Sequence, residues 1–252
     1  MTAASEPIGV TWMGHATADM SVGGVRFLTD PVLGMRIAHL RRRCPAPVLA
    51  PGPIDAVLIS HLHHDHLDLA SLRRLAAGPV IVPRGAGRLI SRTRRGDVVE
   101  VSPGDVVTVG EARVLVVHAD HSGRRTLSRA HGPALGFVIE GGGRRVYFPG
   151  DTDLFDDMKS FGPLDLALLP IWGWGPNLGA QHLDPQRAAQ AAAVLEAATV
   201  LPIHWGTFSP LGLTRGRPDW LDRPATEFAD ALPAVAPESK LVLLRPGEYA
   251  LC

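Results

Sequence analysis

The sequence predicts an α/β fold in which layers of mixed β-sheet are covered by helices on the outside. Three observations carry this. Tight glycine turns at Gly23-Gly24 and Gly141-Gly142-Gly143 each join two short apolar runs, the mark of antiparallel hairpins. Short β-branched runs such as Ala56–Ile59 and Val80–Val82 have the length of buried strands and are spaced by helical stretches. Histidine or aspartate follows several of these runs directly, which places chemistry at strand ends.

Taken in order, Ile8–Met13 reads as a strand ending in Gly14-His15-Ala16-Thr17, and Ala18–Val22 and Val25–Leu28 pair across the glycine turn. Asp30-Pro31 stops the third strand, because proline cannot donate to a ladder. From Val32 to Pro53 the composition changes to Arg36, Arg41, Arg42 and Arg43 with four prolines. This is either a solvated surface loop or a loop at the mouth of a site that offers guanidinium groups to an anion. Asp68 is a good N-cap for a helix over Leu69–Ala77, which Gly78-Pro79 ends. A strand at Val80–Val82, a helix near Ala86–Thr93 and strands at Val98–Val101, Val106–Val109 and Ala112–Val117 follow. Leu135–Glu140 and Arg144–Phe148 form the second hairpin and lead into Pro149-Gly150-Asp151-Thr152-Asp153. A helix near Leu154–Ser160 takes Asp153 as its cap, and Leu164–Ile171 is a further strand. Asp184-Pro185 starts an alanine-rich helix over Gln186–Ala198. Val200–Ile203, a helix near Thr226–Leu232 and strands at Leu241–Leu244 and Tyr249–Leu251 complete the chain.

The chemistry concentrates in Ser60–Asp68, where His61, His63, Asp65 and His66 fall within six residues after a buried strand. A hydrophobic core has no use for four coordinating side chains at one strand end. In a loop they converge on a metal, and imidazole with carboxylate suits zinc first, then manganese or iron. A closed site needs further ligands from other strand ends. His118 and His121 both qualify on chemistry, Asp151 is placed to bridge two cations, and His204 again sits just beyond a strand.

Bulk properties narrow the function. The 252 residues fit one large domain, taken as 1–252, with 46% hydrophobic and 20% charged residues, ordinary for a soluble globular protein. Lys+Arg and Asp+Glu both number 25, so nothing in the charge points to nucleic acid or a membrane surface. Cys44 and Cys252 suggest no disulfide framework, and the opening MTAASEPIGV shows no secretory pattern, so a reducing cytoplasm is expected. No apolar run approaches membrane-spanning length.

These motifs together resemble the metallo-β-lactamase superfamily, by HLHHDH, His121, Gly150-Asp151-Thr152 and His204. Within it the chain is similar to the branch containing N-acyl-phosphatidylethanolamine-hydrolysing phospholipase D and ascorbate-6-phosphate lactonase. That match rests on Thr11–Thr17, Leu28–Pro31, Ile59–Asp68, Gln181–Pro185 and Ile203–Phe208. The resemblance implies an αββα sandwich with two divalent metal ions at one edge, zinc by default, manganese or iron as alternatives. One ion falls to His61, His63 and His121, the other to Asp65, His66 and His204, with Asp151 between them. It prefers His121 to His118, which becomes an orienting residue with His15, Asp30 and Asp68, although Asp68 is equally a helix cap. It places His182 near the substrate to polarise an oxygen or pass a proton, with Asp65 the second catalytic candidate.

Two cations sharing a water lower its pKa and hold the hydroxide for attack, while neutralising charge on the substrate oxygen. The expected activity is hydrolysis of a phosphodiester, lactone or other ester in a small or lipid-like anionic molecule. Trp172, Trp174, Arg41 and Arg124 are the candidate substrate contacts, the tryptophans being equally core candidates. The alternatives are a nuclease of the same superfamily, and a metal-binding or di-iron redox protein without hydrolysis. Charge balance weighs against the first. His63 weighs against the second, because the flavin-partnered di-iron members typically carry glutamate there.

Overall fold

The computed structural model describes residues 6–93, 96–123, 131–173, 181–212 and 219–252. Its first sheet opens as a meander of β1 (Gly9–Gly14), β2 (Thr17–Val22) and β3 (Val25–Thr29), antiparallel throughout. A small hairpin, β4 (Arg36–Ile37) and β5 (Leu40–Arg42), leaves the sheet before β6 (Ala56–Leu58) returns parallel to β3. Helix α1 (Leu69–Arg74), β7 (Val80–Pro83), α2 (Gly87–Ser91) and β8 (Val98–Val101) extend it by parallel pairing. The second sheet repeats this plan. A meander of β9 (Val106–Val109), β10 (Ala112–His118), β11 (Leu135–Gly141) and β12 (Arg144–Phe148) passes into parallel β13 (Leu164–Pro170). Helix α3 (Pro185–Val194) carries the chain to β14 (Ala197–Ile203), parallel to β13. After β15 (Phe208–Pro210), which joins the small hairpin, come α4 (Arg223–Val235), β16 (Lys240–Leu241) and β17 (Tyr249–Leu251). Strand orders are β17-β1-β2-β3-β6-β7-β8 and β16-β14-β13-β12-β11-β10-β9.

The strand alternation sorts side chains into layers. Val10, Trp12, Phe27, Leu58 and Ile81 meet Val114, Phe137, Val146, Phe148, Leu166 and Leu201 in the core between the sheets. The intervening residues face outward. Val57, Val80 and Val82 pack with Leu72 and Ile90 near α1 and α2, while Tyr147, Ala167, Leu169 and Val200 pack with Phe228 and the alanines of α3. This is the αββα sandwich expected, and it contains the two similar halves that no sequence repeat displays. Among the described residues no helix is long and apolar enough to cross a membrane.

Local departures from expectation have local causes. The alanine-rich helix stops at Val194, because Leu195 caps it and Glu196 turns the chain at φ +47°. Ala197 then enters the sheet opposite Leu164, so strand pairing overrides alanine's helical preference. Helix α1 ends at Arg74 and α2 spans only Gly87–Ser91. The helix expected over Leu154–Ser160 is a 3₁₀ segment, Asp156–Ser160, and Asp153 does not cap it. Its carboxylate accepts from Leu154 N–H and pairs with Arg187. The strand expected at Leu241–Leu244 is Lys240–Leu241, whereas α4 is longer than expected. Both cysteines are free.

Topology decides where the chemistry sits. Two reversals of direction leave β1 parallel to β3, and two more leave β10 parallel to β12. The ends of β1, β3, β6, β10, β12 and β14 therefore deliver His15, Asp30, His61, His121, Asp151 and His204 to one edge. Backbone bonds from His204 N–H to the His15 carbonyl and from Leu135 N–H to the Ser60 carbonyl sew the two sheets together there.

Candidate metal centre

Three histidines form the first group of donors. His61 Nε2 lies 3.0 Å from His63 Nδ1, and His121 Nε2 lies 3.2 Å from the same atom. The opposite edges of two of these rings are already engaged. His121 Nδ1 is 3.0 Å from the Gln181 carbonyl, which can only accept, so His121 carries its proton there. Ser60 Oγ donates to Asp30 Oδ2 at 2.5 Å and so is left to accept from His61 Nδ1 at 3.0 Å. Both Nε2 atoms are thus lone pairs facing a common point. A proton on His63 Nδ1 can bond one of them but not both. A tetrahedral ion with metal–nitrogen bonds of about 2.0–2.1 Å holds its donors about 3.3 Å apart, close to this spacing.

The second group is His66, His204 and Asp65, with His15 behind it. His66 Nδ1 donates to Asp30 Oδ2 at 2.7 Å, and His204 Nδ1 donates to the Trp172 carbonyl at 2.5 Å. Their Nε2 atoms then meet 3.1 Å apart. His15 Nε2 holds Asp65 Oδ2 at 3.0 Å, and its ring lies against that of His204, tilted by 34° with centroids 3.8 Å apart. Asp151 stands between the groups. Its Oδ2 is 3.2 Å from His66 Nε2, and 3.9 Å from both His61 Nε2 and His121 Nε2. Its Oδ1 is 3.1 Å from His204 Nε2, yet it is buried without a hydrogen-bond partner among the described residues, because the His204 proton is on the other nitrogen. A buried carboxylate oxygen left this way is costly unless a cation meets it. The donor set therefore suits a metal ion.

Burial sets the titration of these groups. Desolvation pushes His61 well below the ordinary imidazole range, His63 to about 4 and His204 to about 3, so their lone pairs are free at neutral pH. Burial opposes charge on His66 too, but Asp151 and Asp65 prevail and raise its pKa well above the ordinary value. Burial raises Asp65 and Asp151, and the surrounding histidines more than reverse this, holding both carboxyls well below the usual range. His182 Nε2 is 3.5 Å from Asp151 Oδ2, and its ring lies 4.7 Å from His121. Its side chain is 23% exposed, so it lies at the open side of the cluster.

Not every expected residue joins the site. Asp68 caps α1, accepting from Ala70 N–H, Ser71 N–H and the Ser71 hydroxyl, so it orients no ligand. His118 is exposed and edge-on to Phe155 at 5.3 Å, and it belongs to none of the donor clusters. Arg41 is exposed on β5, whereas Arg42 is buried and structural. The Arg42 guanidinium donates to the carbonyls of Met13, Val32 and Gly34 and sits over the Phe208 ring. Arg43 pairs with Asp222. Trp172 contributes its carbonyl to His204, a role no side-chain reading reaches. Trp174 and Arg124 lie outside the described residues. Sequence reasoning also missed Ser60, although its place between a strand and the first ligand histidine is the kind of signal that could have found it.

With this geometry in view, the relationship to known proteins is direct. A sequence model described as a beta-lactamase superfamily domain matches residues 25–205. The chain belongs to the metallo-β-lactamase superfamily. It is 31% identical over 254 residues to a metal-dependent hydrolase of Nitratidesulfovibrio vulgaris, covering 95% of this chain and 93% of the relative. It is 34% identical over 232 residues to N-acyl-phosphatidylethanolamine-hydrolyzing phospholipase D 1 of Caenorhabditis elegans, covering 81% of this chain and 65% of that one. An uncharacterized protein of Mycobacterium tuberculosis is 35% identical over 223 residues, 80% of this chain and 59% of its own. The chain thus spans about three fifths of the length of these last two relatives. Among solved structures, a metallo hydrolase from Ignicoccus hospitalis superposes with TM-score 0.74 at 23% identity, covering 98% and 99% of the two chains. CmlA, a diiron β-hydroxylase of Streptomyces venezuelae, superposes with TM-score 0.71 at 22% identity over 99% of this chain and 54% of its own. Within this metallo-β-lactamase superfamily the chain stands with the metal-dependent hydrolases.

Proposed function

We propose that this chain is a dinuclear metal-dependent hydrolase that cleaves a phosphodiester, lactone or other ester in a small or lipid-like anionic molecule. The observation that carries the reading is the convergence of His61, His63 and His121 on one side, and Asp65, His66 and His204 on the other, of a buried Asp151 with an oxygen unpartnered among the described residues. Two divalent cations held there would supply an activated water and would neutralise charge on the substrate oxygen. Zinc is the default for a histidine-rich set, and manganese and iron suit the same donors.

The remaining work falls to the chain. His15 fixes the Asp65 carboxylate, Asp30 and two backbone carbonyls fix ring orientations, and the surrounding apolar core keeps bulk water away from five of the seven donors. His182, partly exposed and 3.5 Å from Asp151, is the group placed to hand a proton to a leaving oxygen. Arg41 stands exposed on the hairpin beside β15, with Arg36 exposed on the neighbouring strand, and offers a guanidinium to an anion. The relative named for hydrolysing N-acyl-phosphatidylethanolamine supports a phosphodiester or lipid substrate. Balanced charge favours a small molecule over nucleic acid. The two free cysteines accord with a reducing cytoplasm.

The test combines metal analysis with hydrolysis of bis-p-nitrophenyl phosphate, simple esters, lactones and nitrocefin. His61→Ala and Asp151→Ala are expected to lose metal and abolish turnover. Full activity in both variants refutes the site, and a full metal complement with no turnover across the panel refutes the hydrolase.

A further inference from the structure

One buried carboxylate reaches both groups of donors, and it reaches one of them through a serine. Asp30 is completely buried, and its Oδ2 accepts from His66 Nδ1 at 2.7 Å and from Ser60 Oγ at 2.5 Å. Ser60 Oγ in turn lies 3.0 Å from His61 Nδ1. We propose that Ser60 is a positioning residue that ties His61 to Asp30, so that one aspartate orients a histidine in each group and the two ion sites load as a coupled pair.

The direction of each proton supports this. A hydroxyl has one hydrogen, and the shorter contact to the carboxylate claims it, so toward His61 the oxygen accepts. That fixes His61 as the Nδ1–H tautomer, with Nε2 turned toward His63. Asp30 also grips the serine backbone, its Oδ1 accepting from Ser60 N–H at 2.7 Å. Asp30 itself is anchored, its N–H bonding the Leu58 carbonyl and its carbonyl accepting from Thr17 Oγ1. Gly150 closes the remaining side, since a Cβ there would stand 2.4 Å from Ser60 Oγ. The ordinary task of a serine after a strand, capping the next helix, is done by Asp68. The hydroxyl is thus committed to the relay.

The inference rests on the dinuclear reading for its consequence but not for its geometry, and the experiment separates the two. Long-range ¹H–¹⁵N imidazole spectra of the metal-free protein report the His61 tautomer, and metal titration of the wild type, Ser60→Ala, Asp30→Asn and the double variant reports both affinities. Expected are a single Nδ1–H form of His61 in the wild type and a mixture in Ser60→Ala. Ser60→Ala should weaken the ion of the His61 group about 10- to 100-fold, and the other ion less. Asp30→Asn should weaken both, with the double variant little worse than Asp30→Asn alone, because the two residues act in series. An unchanged His61 tautomer in Ser60→Ala, or additive losses in the double variant, overturns the inference. A wild type that takes up fewer than two ions refutes the dinuclear reading, while the tautomer spectra still decide the role of Ser60.

Discussion

Gly150 is where the second sheet presses Asp151 against the start of the HLHHDH motif, and Gly150→Ala tests that contact. The backbone there has φ +64°, in the region that an L side chain enters at about 1–2 kcal/mol. The added Cβ would lie 2.3 Å from Ser60 Cβ, closer than any real contact, and overpacking of a tight site adds about 1–3 kcal/mol. Together these give about 2–5 kcal/mol. For a chain of this size a loss of 1 kcal/mol lowers the melting temperature by about 2–4 °C, so a drop near 10 °C is expected. Gly24→Ala separates the two contributions. Its φ is +75°, and the nearest atom to an added Cβ is Glu6 Oε2 at 4.0 Å, so only the backbone cost applies. Calorimetry of both variants, with metal analysis of each, should show Gly150→Ala the less stable by about 1–3 kcal/mol and depleted in metal. Equal melting temperatures in the two variants, with full metal in both, would refute the argument that the glycine exists to seat Ser60.

Other expectations follow from single environments. Among the described residues the buried Tyr147 hydroxyl has no partner, and burial pushes its pKa up, so Tyr147→Phe should leave stability unchanged or raise it by up to about 1 kcal/mol; a clear loss would reveal a bond to that oxygen. Arg42→Ala strands three carbonyls and should cost about 3 kcal/mol or more in urea unfolding, whereas Arg41→Ala should cost almost nothing in stability and raise KM for anionic more than for neutral substrates. Equal losses of stability in the two variants would refute the structural role of the buried Arg42. In the metal-free protein His63 and His204 have pKa values depressed to about 4 and about 3. As pH falls below about 6.5 the unfolded chain takes up these protons first, so their stabilisation is lost as pH drops toward those values. His66 works the opposite way, its contribution present below about 6.5 and lost as pH rises through its raised pKa. With His61 and His121 also depressed, the net expectation is a lower urea midpoint at pH 5 than at pH 7.5 after chelation, and a higher one would refute the assignment.

Much of the candidate centre is legible in the sequence, because metal ligation concentrates rare residue types at short spacing. His61, His63, Asp65 and His66 announce themselves within six residues. His121, Asp151 and His204 are readable as polar groups ending apolar strands, and resemblance chose His121 over His118. The structure groups His121 with His61 and His63. What failed was the reading of residues with two plausible duties. Asp68 could cap a helix or orient a ligand, and only the position of Ala70 and Ser71 beneath it decides for the cap. Among the four arginines of one loop, nothing in composition marks Arg42 as the buried one. The alanine run was assigned too long a helix, since local propensity cannot see that Ala197 faces Leu164.

The sequence by itself determined the layered α/β class and the strand ends that carry candidate donors, because periodicity and residue type are local properties, while the choice among those donors came from resemblance. Tertiary structure alone decided that two half-molecules of like topology meet so that those strand ends share one edge. It also decided that the carbonyls of Trp172 and Gln181 meet the imidazoles of His204 and His121, and that Asp30 reaches both Ser60 and His66. Hydrogen-bond partners separated by tens of residues depend on how sheets register and pack, and no spacing along the chain encodes that distance.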